Sequence, residues 1–98
     1  MRESVIERYL VKRVKEAGGE VRKVKWIGRR GAPDRLVMLP GDRTLTGLVF
    51  SRLCYWVELK APGEPLKPHQ AREHNRMRDM GQFVVKIDSL EQVDELLK

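Results

Sequence analysis

The feature that most limits how this chain can fold is the run Cys54-Tyr-Trp-Val-Glu-Leu-Lys60. It is dense in β-forming residues and stops at Ala61-Pro62-Gly63, so it reads as a central strand. Side chains alternate along a strand, which puts Glu58 and Lys60 on one face and Leu59 on the other. A core strand does not end in two charges on one face without a reason, because buried charge is costly unless it is paired. The rest of the fold has to be arranged around that strand.

Its neighbours can be read in turn. Counting 100° per residue from Ile6, the residues Leu10, Arg13, Val14 and Ala17 fall on one face and Gly18-Gly19 follows, so residues 4–17 are expected to form an amphipathic helix. Residues 20–27 alternate in a β-rich composition and end in the loop Gly28-Arg-Arg-Gly-Ala-Pro33, the pattern of a first strand. Asp34 opens the apolar run Leu36-Val-Met-Leu39, a short buried strand closed by Pro40-Gly41. Residues 40–53 are the least legible and fit either a hairpin extension or a surface that pairs with another copy. After the central strand, Pro68 suits the first turn of a helix running to Met80, Gly81 suits its C-cap, and residues 83–87 form a further strand. Ser89-Leu-Glu-Gln92 offers a capping box for a last helix that carries Val93, Leu96 and Leu97 on one face. The expected fold class is α/β, a mixed central sheet flanked by helices in the order α-β-β-β-α-β-α. A chain of 98 residues has room for one core and not two, so residues 1–98 are expected to be one domain.

Hydrophobic residues make up 41% of the chain and charged residues 35%, enough for a core and too charged for a membrane span. The N-terminus lacks the apolar core of a signal peptide, so a cytoplasmic protein with no membrane partner is expected. Twenty Lys and Arg against 14 Asp and Glu leave a net charge of +6, which suits a polyanionic partner, nucleic acid first. The single cysteine, Cys54, excludes an internal disulfide and reads as a small buried hydrophobe. His69 and His74 are five apart, which does not align them for zinc on a helix, so any metal is expected to be held by oxygen.

Asp34 lies 24 residues before Glu58, directly after Gly31-Ala-Pro33 and at the start of the strand expected to pair with that of Glu58. Two carboxylates and a lysine can then converge. That trio meets the needs of phosphodiester hydrolysis, in which a hard divalent cation such as Mg2+ or Mn2+ acidifies a water and stabilises charge on the phosphate. Lys60 would orient the nucleophile and offset charge in the transition state. The plainer alternative is a surface Glu58–Lys60 ion pair, with Asp34 as a turn former after proline.

Gly31-Ala-Pro-Asp34, Glu58-Leu-Lys60, Gln70 on the next helix and Glu7 on the first together resemble the virus-type replication-repair nuclease (VRR-NUC) domain of the PD-(D/E)XK superfamily, over nearly the whole chain. The resemblance implies a restriction-endonuclease-like core and Mg2+- or Mn2+-dependent cleavage of DNA. For stand-alone members it also implies homodimers acting on branched structures such as Holliday junctions, in a viral or bacterial setting. It makes Asp34 and Glu58 metal ligands together with the carbonyl of Leu59, Lys60 catalytic, and Gln70 and Glu7 supports of the site. Gln70 shares a helical face with His74 and Met77, opposite Arg72, Arg76 and Asp79, and is expected to face the sheet. Glu7 has a competing use, since Ser4-Val-Ile-Glu7 is a capping-box pattern.

For DNA contact the candidates are Arg29, Arg30 and Arg35 around the metal loop and Lys67, Arg72 and Arg76 on the second helix, with a solvated charged face as the plain alternative. A dimer contact is expected from residues 45–53 or from the last helix. Three other functions compete: an exonuclease or nickase on duplex or flap DNA, a catalytically silent DNA-binding module, and an RNA-binding protein, which rests on charge alone.

Overall fold

The computed structural model describes residues 1–43, 49–50 and 54–98. Helix α1 (Glu3–Glu16) leads into strands β1 (Glu20–Lys23) and β2 (Arg35–Met38), then a short pair, β3 (Asp42–Arg43) and β4 (Val49–Phe50). The long strand β5 (Cys54–Leu59), helix α2 (Pro68–Asp79), strand β6 (Val84–Ile87) and helix α3 (Leu90–Leu96) complete the order. The main sheet has the strand order β1-β2-β5-β6. Its first two pairings are antiparallel and the β5–β6 pairing is parallel, so α2 is the crossover that a parallel neighbour requires. The expected mixed sheet with flanking helices is present, and β5 lies inside it. Within residues 40–53 the antiparallel β3–β4 pair agrees with the hairpin reading of that stretch. Residues 44–48 and 51–53 lie outside the described residues.

The larger layer sits between the sheet and the helices α1 and α3. Ile6, Leu10 and Val14 of α1 are fully buried against Val37, Val57, Leu59, Ile87 and Val93. Removing a side chain such as Leu10 to alanine from this cluster costs roughly 2–5 kcal/mol, the lost transfer energy plus the cavity left behind. The helix stops where the glycines predicted it would. Gly18 has φ of 87°, Gly19 donates to the Val14 carbonyl and Gly18 to that of Lys15, so the last carbonyls are satisfied by a left-handed turn. Tyr9 Oη donates to Asp94 Oδ1 at 2.7 Å and Arg13 pairs with the same carboxylate, tying α3 to α1. Leu90, Leu96 and Leu97 pack against the core. The last helix therefore turns part of its apolar side inward, with Leu96 and Leu97 half-buried.

The opposite face carries Trp56, Glu58 and the buried Val84, and α2 lays His74 and Met77 toward it. Here three expectations are corrected. The first strand ends at Lys23 instead of reaching Ile27. Its partner β2 begins only at Arg35, and a single further bond, from Val24 N–H to the Asp34 carbonyl at 2.9 Å, closes the pairing beyond Lys23. Trp26 instead turns onto Trp56, with ring centroids 5.2 Å apart, and its Nε1 donates to the Pro33 carbonyl at 2.8 Å, closing the 24–33 loop. Cys54 is exposed rather than buried, since it opens β5 at the end of the strand away from Glu58. Ser4 does not cap α1, since the N-cap is Arg2 and Ser4 already lies in the first turn.

The other termini follow the sequence more closely. Gly81, with φ of 85°, donates to the Arg78 carbonyl and Gln82 to that of Met77, which ends α2 as predicted. Ser89 Oγ accepts from Gln92 N–H at 3.2 Å to start α3. The Gln92 side chain accepts from Asp88 N–H, one residue earlier than a full capping box places it.

Candidate active site

Two adjacent strands and one turn build the site. Arg35 of β2 pairs with Val57 of β5, and one step further along this antiparallel register Asp34 comes opposite Glu58. Lys60 follows at the end of β5, where its N–H donates to the Ile87 carbonyl at 3.0 Å and holds the strand end against β6. The alternation read from the sequence is kept. Val57 and Leu59 enter the α1 layer, whereas Glu58 lies on the α2 side. Lys60 is 6% exposed and its Nζ is 3.4 Å from Glu64 Oε1 in the turn that follows. The structure therefore brings Asp34, Glu58 and Lys60 together.

The electrostatics of the pair are unequal. The Glu58 side chain is only 13% exposed, and its carboxyl is pushed up to about 7, first by burial and then by the charge of Asp34. Glu3 adds to the push, while Lys60 and Arg35 oppose it. Asp34 is 58% exposed, and Arg35 Nη1 pairs with its Oδ1 at 2.8 Å.

Arg35 itself departs from the expectation of a DNA contact. Its side chain is buried, and Nη2 pairs with Glu7 Oε2. It thus lies between Glu7 of α1 and Asp34, with no free guanidinium edge turned to solvent for a phosphate. Glu7 caps nothing here, and its carboxylate pairs with Arg35. Gln70 is half-buried, but its Oε1 accepts from Lys67 N–H at 2.9 Å, so the side chain curls back to the start of α2 instead of walling the site. A lysine side chain has no acceptor, so the reciprocal half of a capping box is missing there.

Two further α2 residues matter here: Glu73, which the sequence did not single out, and His74, which it weighed only as an ill-spaced zinc partner of His69. Glu73 is buried and accepts from Arg29 Nε at 2.9 Å and from Arg76 Nε at 3.1 Å, which clamps the 28–33 loop to the helix. Arg29, first of all, holds its carboxyl below the usual range. Its spacing from Gln70 and Met77 put Glu73 on the inward face, and that was the available signal. His74 is fully buried, and burial, helped by Arg78, keeps its imidazole below its ordinary pKa. Its Nε2 is 3.5 Å from Glu58 Oε1.

Of the proposed DNA contacts, Arg29 and Arg76 are therefore engaged with Glu73, and Arg30, Lys67 and Arg72 are exposed. The last three form one field. Burial and then Arg30, Lys67, Arg72 and Lys60 together lower the pKa of His69, which lies among them at the start of α2. Gly31 packs against this same turn with φ of 86°, where a Cβ would stand 2.7 Å from the His69 carbonyl.

Among the described residues no group of three or more His, Cys, Asp or Glu side chains is arranged to hold a metal. The Asp34–Glu58 pair does fit a hard divalent cation. Its donors are carboxylate oxygens, and Glu58, pushed up to about 7 first by burial and then by the charge of Asp34, is a carboxyl that a bound cation would stabilise as its anion.

A four-stranded mixed sheet between helices, with an Asp set across from a Glu-x-Lys strand end, defines a nuclease-type α/β domain of the restriction-endonuclease-like kind. No protein-family model matches the chain. The chain is 43% identical over 89 residues to "Putative nuclease p44" of Acyrthosiphon pisum secondary endosymbiont phage 1, covering 91% of this chain and 85% of that one. A solved structure described as a VRR_NUC domain superposes with a TM-score of 0.75 at 38% identity, over 97% of this chain and 92% of the other. The chain belongs to the VRR-NUC family of nucleases. Among the described residues no helix is long and apolar enough to cross a membrane.

Proposed function

We propose that the protein is a metal-dependent DNA endonuclease, selective for branched structures such as Holliday junctions and active as a homodimer. The observation that carries the nuclease chemistry is the β2–β5 register, which sets Asp34 across from Glu58 with Lys60 buried beside them. Asp34, Glu58 and the carbonyl of Leu59 would hold Mg2+ or Mn2+. A cation bound there supplies Lewis-acid polarisation of the phosphate and acidifies the attacking water. The rest falls to the chain's own groups. Arg35 fixes Asp34 through Oδ1 and leaves its other oxygen free for a ligand. The Lys60 ammonium, confined by burial and by Glu64, orients the nucleophile and offsets charge on the pentavalent transition state. Arg30, Lys67 and Arg72 lead the DNA backbone toward the carboxylates.

Support for the branched substrate and for the dimer comes from the resemblance to stand-alone family members and from symmetry, since a two-fold junction suits a two-fold enzyme. The test is cleavage of a labelled four-way junction beside a linear duplex of the same sequence, with and without Mg2+ or Mn2+. Junction cutting that needs metal and is abolished by Lys60→Ala and by Asp34→Asn, with binding retained, is the expected result. Equal cutting of the duplex would remove the branched preference, and binding without any cutting would make the protein a silent DNA-binding module. Sedimentation at working concentration reads the dimer, and a monomer there overturns it.

A further inference from the structure

We propose that His74 is a positioning residue for the Glu58 carboxylate, its Nε2 fixing the orientation in which Glu58 meets a divalent cation. The proposal rests on the reading of Asp34 and Glu58 as metal ligands. His74 sits fully buried on α2, and neither ring nitrogen has a well-aligned hydrogen-bond partner among the described residues. Buried polar atoms are almost always satisfied, so an imidazole held in this state needs an explanation. An apolar residue such as the nearby Met77 would pack α2 onto β6 without that cost.

The geometry supplies the explanation. Nε2 lies 3.5 Å from Glu58 Oε1, just outside a normal hydrogen bond, and the Gly31 backbone is also within the ring's reach. A turn of the carboxylate by roughly half an ångström closes an N–H···O bond of ordinary length. The same ring thereby touches both segments that carry the ligands: the end of β5, which bears Glu58, and the loop that reaches Asp34 three residues after Gly31. Groups that orient a ligating side chain are worth about 10–100-fold in metal affinity. The imidazole moves no proton in this role and touches no substrate. It acts only through Glu58.

The experiment is calorimetric titration of the DNA-free full-length protein with Mn2+, comparing wild type, Glu58→Gln, His74→Gln and His74→Asn, each checked by thermal melting in EDTA. Glutamine carries its amide nitrogen to the level of the histidine Nε2, whereas asparagine reaches only that of Nδ1. His74→Asn is expected to weaken Mn2+ binding about 10–100-fold, and His74→Gln to restore most of it. Equal affinity of wild type and His74→Asn overturns the proposal, as does equal loss in the asparagine and glutamine variants. If the wild type takes up no Mn2+, or Glu58→Gln binds as tightly as wild type, the metal-ligand reading itself fails. Wild-type binding that Glu58→Gln weakens and His74→Asn leaves intact removes only the role of His74. Should neither histidine variant fold, 15N spectra of the wild-type imidazole during Mg2+ titration decide the question. Movement of the His74 Nε2 resonance is expected, and its absence overturns the proposal.

Discussion

At the scale of single residues the site is an imbalance of charge. Glu58 with a folded pKa of about 7 against an ordinary 4.5 means that the folded protein binds an extra proton between those values. Its share of stability is thus full below about pH 4.5 and is lost as pH rises through 7, on the order of 3 kcal/mol at 1.36 kcal/mol per unit. His74, whose pKa is lowered, has the opposite slope, so the comparison has to be with a variant. Glu58→Gln is expected to be more stable than wild type at pH 8 in EDTA and close to it at pH 4, and saturating Mg2+ should shrink the pH 8 difference. Urea denaturation at the two values measures both; a Glu58→Gln protein that is less stable at pH 8 contradicts the assignment. Arg35 works in the other direction. Replacing it with methionine leaves Glu7 and Asp34 without their shared cation and should cost about 2–4 kcal/mol by denaturant melts. Asp34, Glu58 and Lys60 were legible in the sequence because the period of two in Glu58-Leu-Lys60 already states which side chains face together. The use of Arg35 was not, since an arginine after Pro-Asp reads the same whether it meets a phosphate or a carboxylate on another element.

At the scale of elements, the loop 28–33 is held to α2 from both ends of its chemistry, by Arg29 on Glu73 and by the close approach of Gly31 to His69. Gly31→Ala has to strain φ at 86° and displace a backbone carbonyl 2.7 Å away, so a loss of about 2–4 kcal/mol and a marked fall in cleavage are expected. Gly28→Ala carries a similar φ, 73°, but its Cβ meets nothing within 4 Å, and its cost should stay near 1 kcal/mol. Denaturation midpoints of the two variants separate strain from contact; equal losses would deny the packing of Gly31. Helix α1, the ends of α2 and the strand β5 could be read from periodicity and glycine placement, because their determinants are local. The end of β1 could not. A strand stops where its partner stops, and nothing in the alternation of residues 20–27 says that β2 begins at Arg35.

At the scale of the whole molecule, the net charge of +6 is not spread evenly, because Arg30, Lys67 and Arg72 act together with Lys60 around the start of α2. The logarithm of the DNA affinity should therefore fall linearly with the logarithm of salt, and the double variant Arg30→Ala, Arg72→Ala should flatten that slope by about 2, at roughly 0.9 per phosphate contact. Fluorescence anisotropy between 50 and 200 mM salt, a range chosen for its large expected effect, reads this directly. An unchanged slope would move the DNA to another face. The basic surplus was evident in composition, but its concentration at one helix start depends on how the 28–33 loop folds back, which composition does not encode.

The pairing of Arg35 with Val57 has a wider implication. Cross-strand register sets Asp34 across from Glu58 whatever the length of the chain that joins the two strands. A circular permutant opened in that connector is therefore expected to keep the two carboxylates facing one another, and its metal-dependent cleavage is the measurement that checks it.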